Sequence, residues 1–264
     1  MTQQELPNHT DPLFQIAEKL SADFSLFPEY EDNAVDHKVK GLIAPQQCAI
    51  ELDRLRKLNI DDYIQSVVAP SENPQRTDAK SIVKHLVVRI ISEVEDGPLY
   101  CAEADLDFGG QIRRVGFICQ NRSHANGAWG PIHHNRAAQQ AKNYASRAMP
   151  IITFIDTPGA DAGELANANN QAHSISHLIT EMVNNDVPTI GIIWGAGYSG
   201  GAIPLAATNI LLSVRDGIFN TIQPQGLASI ARKYNLSWQE CAKYVGVSGY
   251  QLRESGVIDG IIDY

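Results

Sequence analysis

The stretch Met149-Pro150-Ile151-Ile152-Thr153-Phe154-Ile155-Asp156-Thr157-Pro158-Gly159-Ala160-Asp161-Ala162-Gly163 decides the fold of this 264-residue chain. Ile151 to Ile155 is an uncharged run rich in β-branched and aromatic residues, the composition of a strand buried on both faces. Asp156 to Gly163 then crowds Pro158, Gly159 and Gly163 into a turn, where glycine allows positive φ and close approach of a ligand to the backbone. On spacing alone, a tight strand-to-helix turn with Asp161 as N-cap is the favoured reading of the same residues. Beyond the turn, Leu165, Ala172, Ile175, Ile179 and Met182 mark one face of a long helix. Strand, turn and helix in that order form the unit of an α/β domain, whose ligands sit where strands end and helices begin.

The same alternation extends outward in both directions. Upstream, Arg114 to Cys119 reads as a strand and Asn135 to Ala148 as a helix with Ala137, Ala138, Ala141 and Ala145 for close packing. Further back, Ile82, Leu86, Val87, Ile90 and Ile91 fall at helical spacing and predict one helix over Asp78 to Glu93. Downstream, strands are expected at Thr189 to Trp194, Asn209 to Val214 and Ile218 to Ile222, the last two joined by the turn Arg215-Asp216-Gly217. Ser237 with Glu240 three residues on has the pattern of a capping box opening a final helix. Val187 to Val214 carries no charge and is long enough to span a bilayer. Its prolines and glycines instead punctuate it as a buried strand-turn-helix-strand run.

Residues 1–75 have a different texture, polar and broken by Pro7, Pro12, Pro28, Pro45 and Pro70. Helix-like pieces at Pro12 to Phe24 and Ala44 to Ile64 make this an N-terminal helical arm. The turn-rich joint Ser71-Glu72-Asn73-Pro74-Gln75 separates it from a main domain over 76–264. Composition is that of a soluble globular protein, 44% hydrophobic and 19% charged. Lys+Arg total 21 against Asp+Glu 30, a formal charge of -9, which argues against a general binder of nucleic acid or anionic membrane. Cys48, Cys101, Cys119 and Cys241 are scattered without a CxxC pair, so they suggest neither a zinc site nor a disulfide framework and suit a reducing cytoplasm. The first fifteen residues lack the basic and apolar regions of a secretory signal.

A second turn of interest is Gly195-Ala196-Gly197-Tyr198-Ser199-Gly200-Gly201-Ala202, placed before a helix that runs to about Thr208. Unpaired N–H groups at such a helix start, beside the positive end of its dipole, hold a phosphate or a developing oxyanion. Close packing of helix on sheet explains the glycines as well. No Lys follows them as in GxxxxGK[ST], which disfavours a nucleotide P-loop. Ser199 has the G-x-S-x-G spacing of a nucleophile elbow, but no histidine occurs after His177, so the Ser-Asp-His order cannot be met. His173 and His177 have the i, i+4 spacing of a metal pair without the Glu of HExxH, and a solvated helix face is expected. His133-His134, beside Trp129, is expected in a surface loop, within reach of a ligand.

Together these segments resemble the alpha subunit of bacterial acetyl-CoA carboxylase carboxyltransferase, a member of the crotonase-like superfamily. Met149 to Ala160 matches that family's strand and turn almost letter for letter. Ser199-Gly200-Gly201-Ala202 stands in the place of its Gly-rich loop, and Pro224-Gln225-Gly226-Leu227-Ala228-Ser229-Ile230 is similar to its Pro-Glu-Gly-Cys-Ala-Ser-Ile segment. Leu252 to Ile262 resembles its closing pattern. The likeness is clearest over 149–264, is weaker at Asn73-Pro74-Gln75-Arg76, and is loose before about residue 70.

The resemblance implies an α/β, crotonase-like (ClpP/crotonase) fold of repeated ββα units. It also implies transfer of carboxylate from carboxybiotin, on a separate carrier protein or domain, to acetyl-CoA or a related acyl-CoA, giving malonyl-CoA or a substituted malonyl-CoA as in fatty acid biosynthesis. A beta-type subunit would complete the site, in an alpha2beta2 assembly in the cytoplasm that is inactive without it. Two oxyanions then need stabilising, on the biotin ureido group and on the thioester. The N–H groups of Gly200 and Gly201 would receive the first. Thr157, Pro158, Gly159 and Ala160 would wall the pocket, with Gly197, Tyr198, Ser199, Pro224 and Gly226 around it, and no metal. Ala196, Tyr198 and Gln225 depart from the family pattern. Asn121 to His134 replaces a markedly basic segment, and the chain stops before the usual helical tail. These departures keep open a biotin-independent malonyl-thioester decarboxylase subunit and a non-catalytic scaffold.

Overall fold

The computed structural model describes residues 41–263, and the expected helix at Pro12 to Phe24 lies outside them. Helix α1 (Pro45–Lys57) leads through helical turns at Ile60–Tyr63, Ile64–Val68 and Ala69–Ser71 to α2 (Ala79–Leu86), whose N-cap Asp78 accepts a hydrogen bond from Ser81 N. Strands β1 (Arg89–Asp96), β2 (Leu99–Phe108) and β3 (Gln111–Gln120) form an antiparallel meander. There follow α3 (Pro131–Ser146), β4 (Ile151–Thr157), α4 (Glu164–Ala168), α5 (Gln171–Val183), β5 (Thr189–Tyr198) and α6 (Ser199–Ala206). The chain continues through β6 (Ile210–Val214), β7 (Ile218–Asn220), α7 (Pro224–Ile230), α8 (Trp238–Val245), α9 (Gly249–Glu254) and β8 (Gly260–Ile262).

The strands form one mixed sheet in the order β1-β2-β3-β4-β5-β6-β8, parallel from β3 onward. β5 is long enough to serve two partners along one edge, β6 through Ile190–Ile193 and β7 through Ala196–Tyr198. Alternation along β4 feeds two cores. Ile151 and Ile155 pack with Ala137, Ala138 and Ala141 of α3 and Leu178 and Met182 of α5, while Ile152 and Phe154 pack with Phe117 and with Ala79 and Val83 of α2. Each fully buried large apolar side chain contributes roughly 1.5–3 kcal/mol. Residues 41–75, the described part of the arm, place Ile43, Cys48, Leu55, Tyr63, Val67 and Val68 in the first of these cores.

The alanine-rich helix forms and starts earlier than expected, at Pro131. The Ser237–Glu240 capping box is made in both directions. Val187 to Val214 becomes β5, α6 and β6, and among the described residues no helix is long and apolar enough to cross a membrane. All four cysteines are free and buried.

Other expectations need correction. Asp78 to Glu93 is not one helix: α2 ends at Leu86, Val88 N donates to Asp105 O at 2.8 Å, and Ile90 and Ile91 lie in β1. Pairing of a β-branched run with a neighbouring strand overrides its helical spacing. The long helix after the Asp156 turn is two helices, broken where Asn170 takes φ +63°, a conformation asparagine tolerates. The N-cap of α4 is Gly163, not Asp161, which accepts from Gly163 N at 2.9 Å. The expected turn at Gly195 to Tyr198 is strand, because β5 continues four residues past Trp194. A Cβ on Gly195 would lie 2.3 Å from Asp156 Oδ1, so glycine there makes room for a buried carboxylate.

Candidate active site

The end of β4 and the start of α6 meet at the C-terminal edge of the parallel strands. Tyr198 is extended and Ser199 takes φ +58°, so the chain turns sharply from strand into helix. A Cβ on Gly201 would lie 2.4 Å from Gly159 C and 2.5 Å from Ala160 N, which shows how closely the first turn of α6 abuts the Asp156–Ala160 turn. That turn is pinned from both sides. Thr157 Oγ1 accepts from Gly159 N at 3.1 Å and donates to Gly159 O at 2.9 Å, and Gln223 Nε2 donates to Pro158 O at 2.5 Å.

The two turns border a cleft of about 420 Å³, within the size range of small-molecule sites. Pro158, Gly159, Ala160, Ser199, Gly200 and Gly226 line it, joined by Gln171 and Ile175 of α5 and by Gln223. Thr157, Gly197, Tyr198, Gly201 and Pro224 are buried behind this wall. Gly200 and Gly201 are the second and third residues of α6, so their N–H groups have no intrahelical acceptor and stand at the positive end of the dipole. Among the described residues Asp161 is the one charged side chain in the lining. The site therefore offers backbone donors and neutral amides.

Residues 118–264 match the family described as acetyl co-enzyme A carboxylase carboxyltransferase-like. The chain belongs to this family. It is 28% identical over 262 residues to the acetyl-coenzyme A carboxylase carboxyl transferase subunit alpha of Carboxydothermus hydrogenoformans, covering 95% of this chain and 79% of that protein. A protein of Parafrankia sp. named as the carboxyl transferase subunits beta/alpha is 33% identical over 132 residues, covering 50% of this chain and 22% of that protein. Among solved structures, transcarboxylase 12S with hydrolysed methylmalonyl-coenzyme A bound superimposes with a TM-score of 0.65 at 17% identity, over 95% of this chain and 46% of that one. The carboxyltransferase-like chain thus has the expected crotonase-like α/β fold.

Asp156, the acidic residue of the family-like turn, faces inward and is 1% exposed. Its Oδ1 accepts from Arg122 Nη1 at 2.6 Å and from Ala196 N at 3.2 Å. Burial raises its pKa, and Arg122 opposes the shift. Asp156 thereby ties β4 to β5 behind the cleft. Gln120, also 0% exposed, links the same region to α6 through Asp156 N and Gly201 O. Neither Gln120, Arg122, Gln171 nor Gln223 carried a motif in this carboxyltransferase-like sequence. The available signal was position, since Gln120 and Arg122 flank the end of a strand.

The histidines take other places. Among the described residues no histidine lines the cleft, so none of them offers Ser199 an imidazole base there. His177 Nδ1 lies 3.2 Å from Asn135 Oδ1 and its Nε2 3.6 Å from Glu181. His133 and His134 are in α3 rather than a surface loop, and His134 is 0% exposed, edge-on to Trp129 at 5.4 Å between ring centroids. Helix α3 starts at Pro131 because proline is pre-set for the first helical turn. Burial lowers the His134 pKa from 6.5 to about 4, against the hydrogen bond with Gly130. Between these values the unfolded chain binds the proton and the folded one does not, so stability is full above pH 6.5 and lost as pH falls toward 4. The contribution is about 3 kcal/mol. Denaturant unfolding from pH 7 to pH 4 is expected to show this loss, and a His134→Gln variant is expected to lack it.

Proposed function

We propose that this chain is the alpha-type half of a biotin-dependent acyl-CoA carboxyltransferase. The observation that carries the reading is the first turn of α6, with Gly200 in the wall of a cleft whose described lining is uncharged apart from Asp161, and Gly201 against the Gly159–Ala160 backbone. Carboxybiotin, as substrate on its carrier, supplies the carboxylate and leaves a negative charge on its ureido oxygen as CO2 departs. The Gly200 and Gly201 N–H groups receive that charge at the positive end of the helix dipole, with no reorganisation during reaction. The Pro158–Ala160 turn walls the ring site. No side-chain base is required of this chain, in keeping with a lining that, among the described residues, holds no histidine and no lysine.

Among the described residues the same lining holds no arginine, which supports a reading in which the phosphates of coenzyme A are received by another surface. A beta-type subunit is the natural source of that site and of the second oxyanion hole. The Parafrankia relative, named for both subunits, supports the pairing. An alpha2beta2 assembly acting on acetyl-CoA or a related acyl-CoA follows the family pattern.

The test is carboxyl transfer to acetyl-CoA with free biotin carboxylate or the loaded carrier, with and without a co-expressed beta-type subunit. Turnover is expected only in the complex. Turnover by the isolated chain would overturn the half-site reading. Release of CO2 from malonyl-CoA without biotin would replace transfer by decarboxylation, and a complex inactive in both assays would leave a scaffold.

A further inference from the structure

We propose that Gln120 is a positioning residue that sets the first turn of α6, and with it the Gly200 and Gly201 N–H groups, against the Asp156–Ala160 turn. Its consequence for rate rests on the carboxyl-transfer reading, while its consequence for local order stands apart from it. Gln120 closes β3, is fully buried and does not line the cleft. Its Nε2 donates to Gly201 O at 2.7 Å and its Oε1 accepts from Asp156 N at 3.1 Å. A carbonyl can only accept and a backbone N–H can only donate, so one orientation of the amide satisfies both. A single planar group therefore ties the end of one strand to the start of the helix on which the proposed oxyanion donors lie.

Helix α6 needs such an outside tie. Pro204 lies inside it and has no N–H, so the Gly200 carbonyl lacks its i→i−4 partner. The entry at Ser199, with φ +58°, departs from helical geometry one residue before Gly200. The first turn is thus short of one internal hydrogen bond just where its donors must be aimed. Contact at Gly201 limits how near the two turns come. The Gln120 amide limits how far apart they move and how the turn rotates. Small misplacement of groups that act on a reacting centre costs as much as 10²-fold in rate.

The experiment uses the full chain in its complex with the beta-type subunit and compares two variants. Gln120→Met removes both hydrogen bonds at nearly constant volume, and Gln120→Glu keeps the acceptor for Asp156 N but loses the donor to Gly201 O. Both are expected to lower kcat by about 10- to 100-fold and to leave KM for the acyl-CoA unchanged, because the side chain touches no substrate. Amide hydrogen exchange is expected to quicken over 199–206 and to stay unchanged over 131–146. Wild-type kcat with unchanged exchange over 199–206 would overturn the proposal. Exchange quickened equally across both segments would also overturn it, assigning Gln120 to general core stability. If the wild-type complex transfers no carboxylate, the functional reading fails while the exchange comparison still decides the positioning role.

Discussion

Gly201→Ala is expected to lower carboxyl transfer about 10²- to 10³-fold, the loss that follows removal of one oxyanion donor, whereas Gly200→Ala is expected to retain most of it. The two glycines are adjacent but meet different surroundings. A Cβ on Gly201 would lie 2.4 Å from Gly159 C, 2.5 Å from Ala160 N and 2.8 Å from Gly159 O, all main-chain atoms of a turn pinned by Thr157 and Gln223. Backbone held in this way cannot yield cheaply, so the helix start must retreat and carry its donors with it. Overpacking of this kind also costs about 1–3 kcal/mol of stability. Among the described residues a Cβ on Gly200 would meet only Ile175, its Cδ1 at 3.1 Å and its Cγ2 at 4.0 Å, the outer atoms of a side chain on α5. Both variants keep their N–H groups, so the contrast reports position rather than donor count. Measurement of kcat in the assembled complex, with thermal unfolding beside it, separates the two. Equal activity of the two variants would remove Gly201 from the proposed site.

How much of this was legible in the sequence depended on whether a residue acts through its neighbours along the chain or across the fold. The uncharged runs became β4, β5 and β6, and Ser237 with Glu240 became a capping box, because burial and capping are local patterns. Strand β2 carries Glu103, Asp105 and Asp107, which break the uncharged pattern by which the other strands were legible. In the structure Glu103 pairs with Arg114 and Arg147, and Asp105 with Arg89 and Arg114, which allows acidic residues to sit in a sheet. Gly195 and Gly197 suggested a turn, since glycine is the usual turn residue. Their actual reason is close approach: Gly195 to the Asp156 carboxylate, Gly197 to Ile155 Cγ2 and Phe219 Cδ2, both 2.9 Å from its Cβ position.

The candidate site shows the same division. Pro158, Gly159, Ala160 and Gly200 could be singled out because they lie in glycine-marked turns beside strands, and the structure brings them to one cleft. Gln120 and Gln223 are single amides without motif or period. Their hydrogen bonds exist only once the chain has brought Gly201 and Pro158 beside them, 81 and 65 positions away in sequence. Such residues are read from hydrogen bonds rather than spacing. Arg122 belongs with them, since nothing near it in sequence announces Asp156 as its partner.

Arg122→Met is accordingly expected to produce the largest loss of stability, about 3–5 kcal/mol, the cost of leaving a buried charge without its partner. Asp156 is 1% exposed, and Arg122 is its one cationic hydrogen-bond donor among the described residues, at 2.6 Å. Arg122 also opposes the upward shift of Glu72, which is raised by burial, so its loss strands a second carboxyl group. The sign of the pH dependence follows from Asp156, whose pKa in the folded chain already stands above 3.8 through burial. Without Arg122 it rises further. The folded variant then binds a proton that the unfolded chain releases above about 3.9, so its stability increases as pH falls through the raised value and declines again toward neutrality. Unfolding of Arg122→Met should therefore lie closer to wild type at pH 5 than at pH 7. Adding Asp156→Asn, which removes the charge and keeps an oxygen to accept from Ala196 N, is expected to recover most of the stability at pH 7. A double variant as unstable as Arg122→Met alone would show that Arg122 supports the fold by packing, and that the Asp156 carboxylate does not need its charge neutralised behind the cleft.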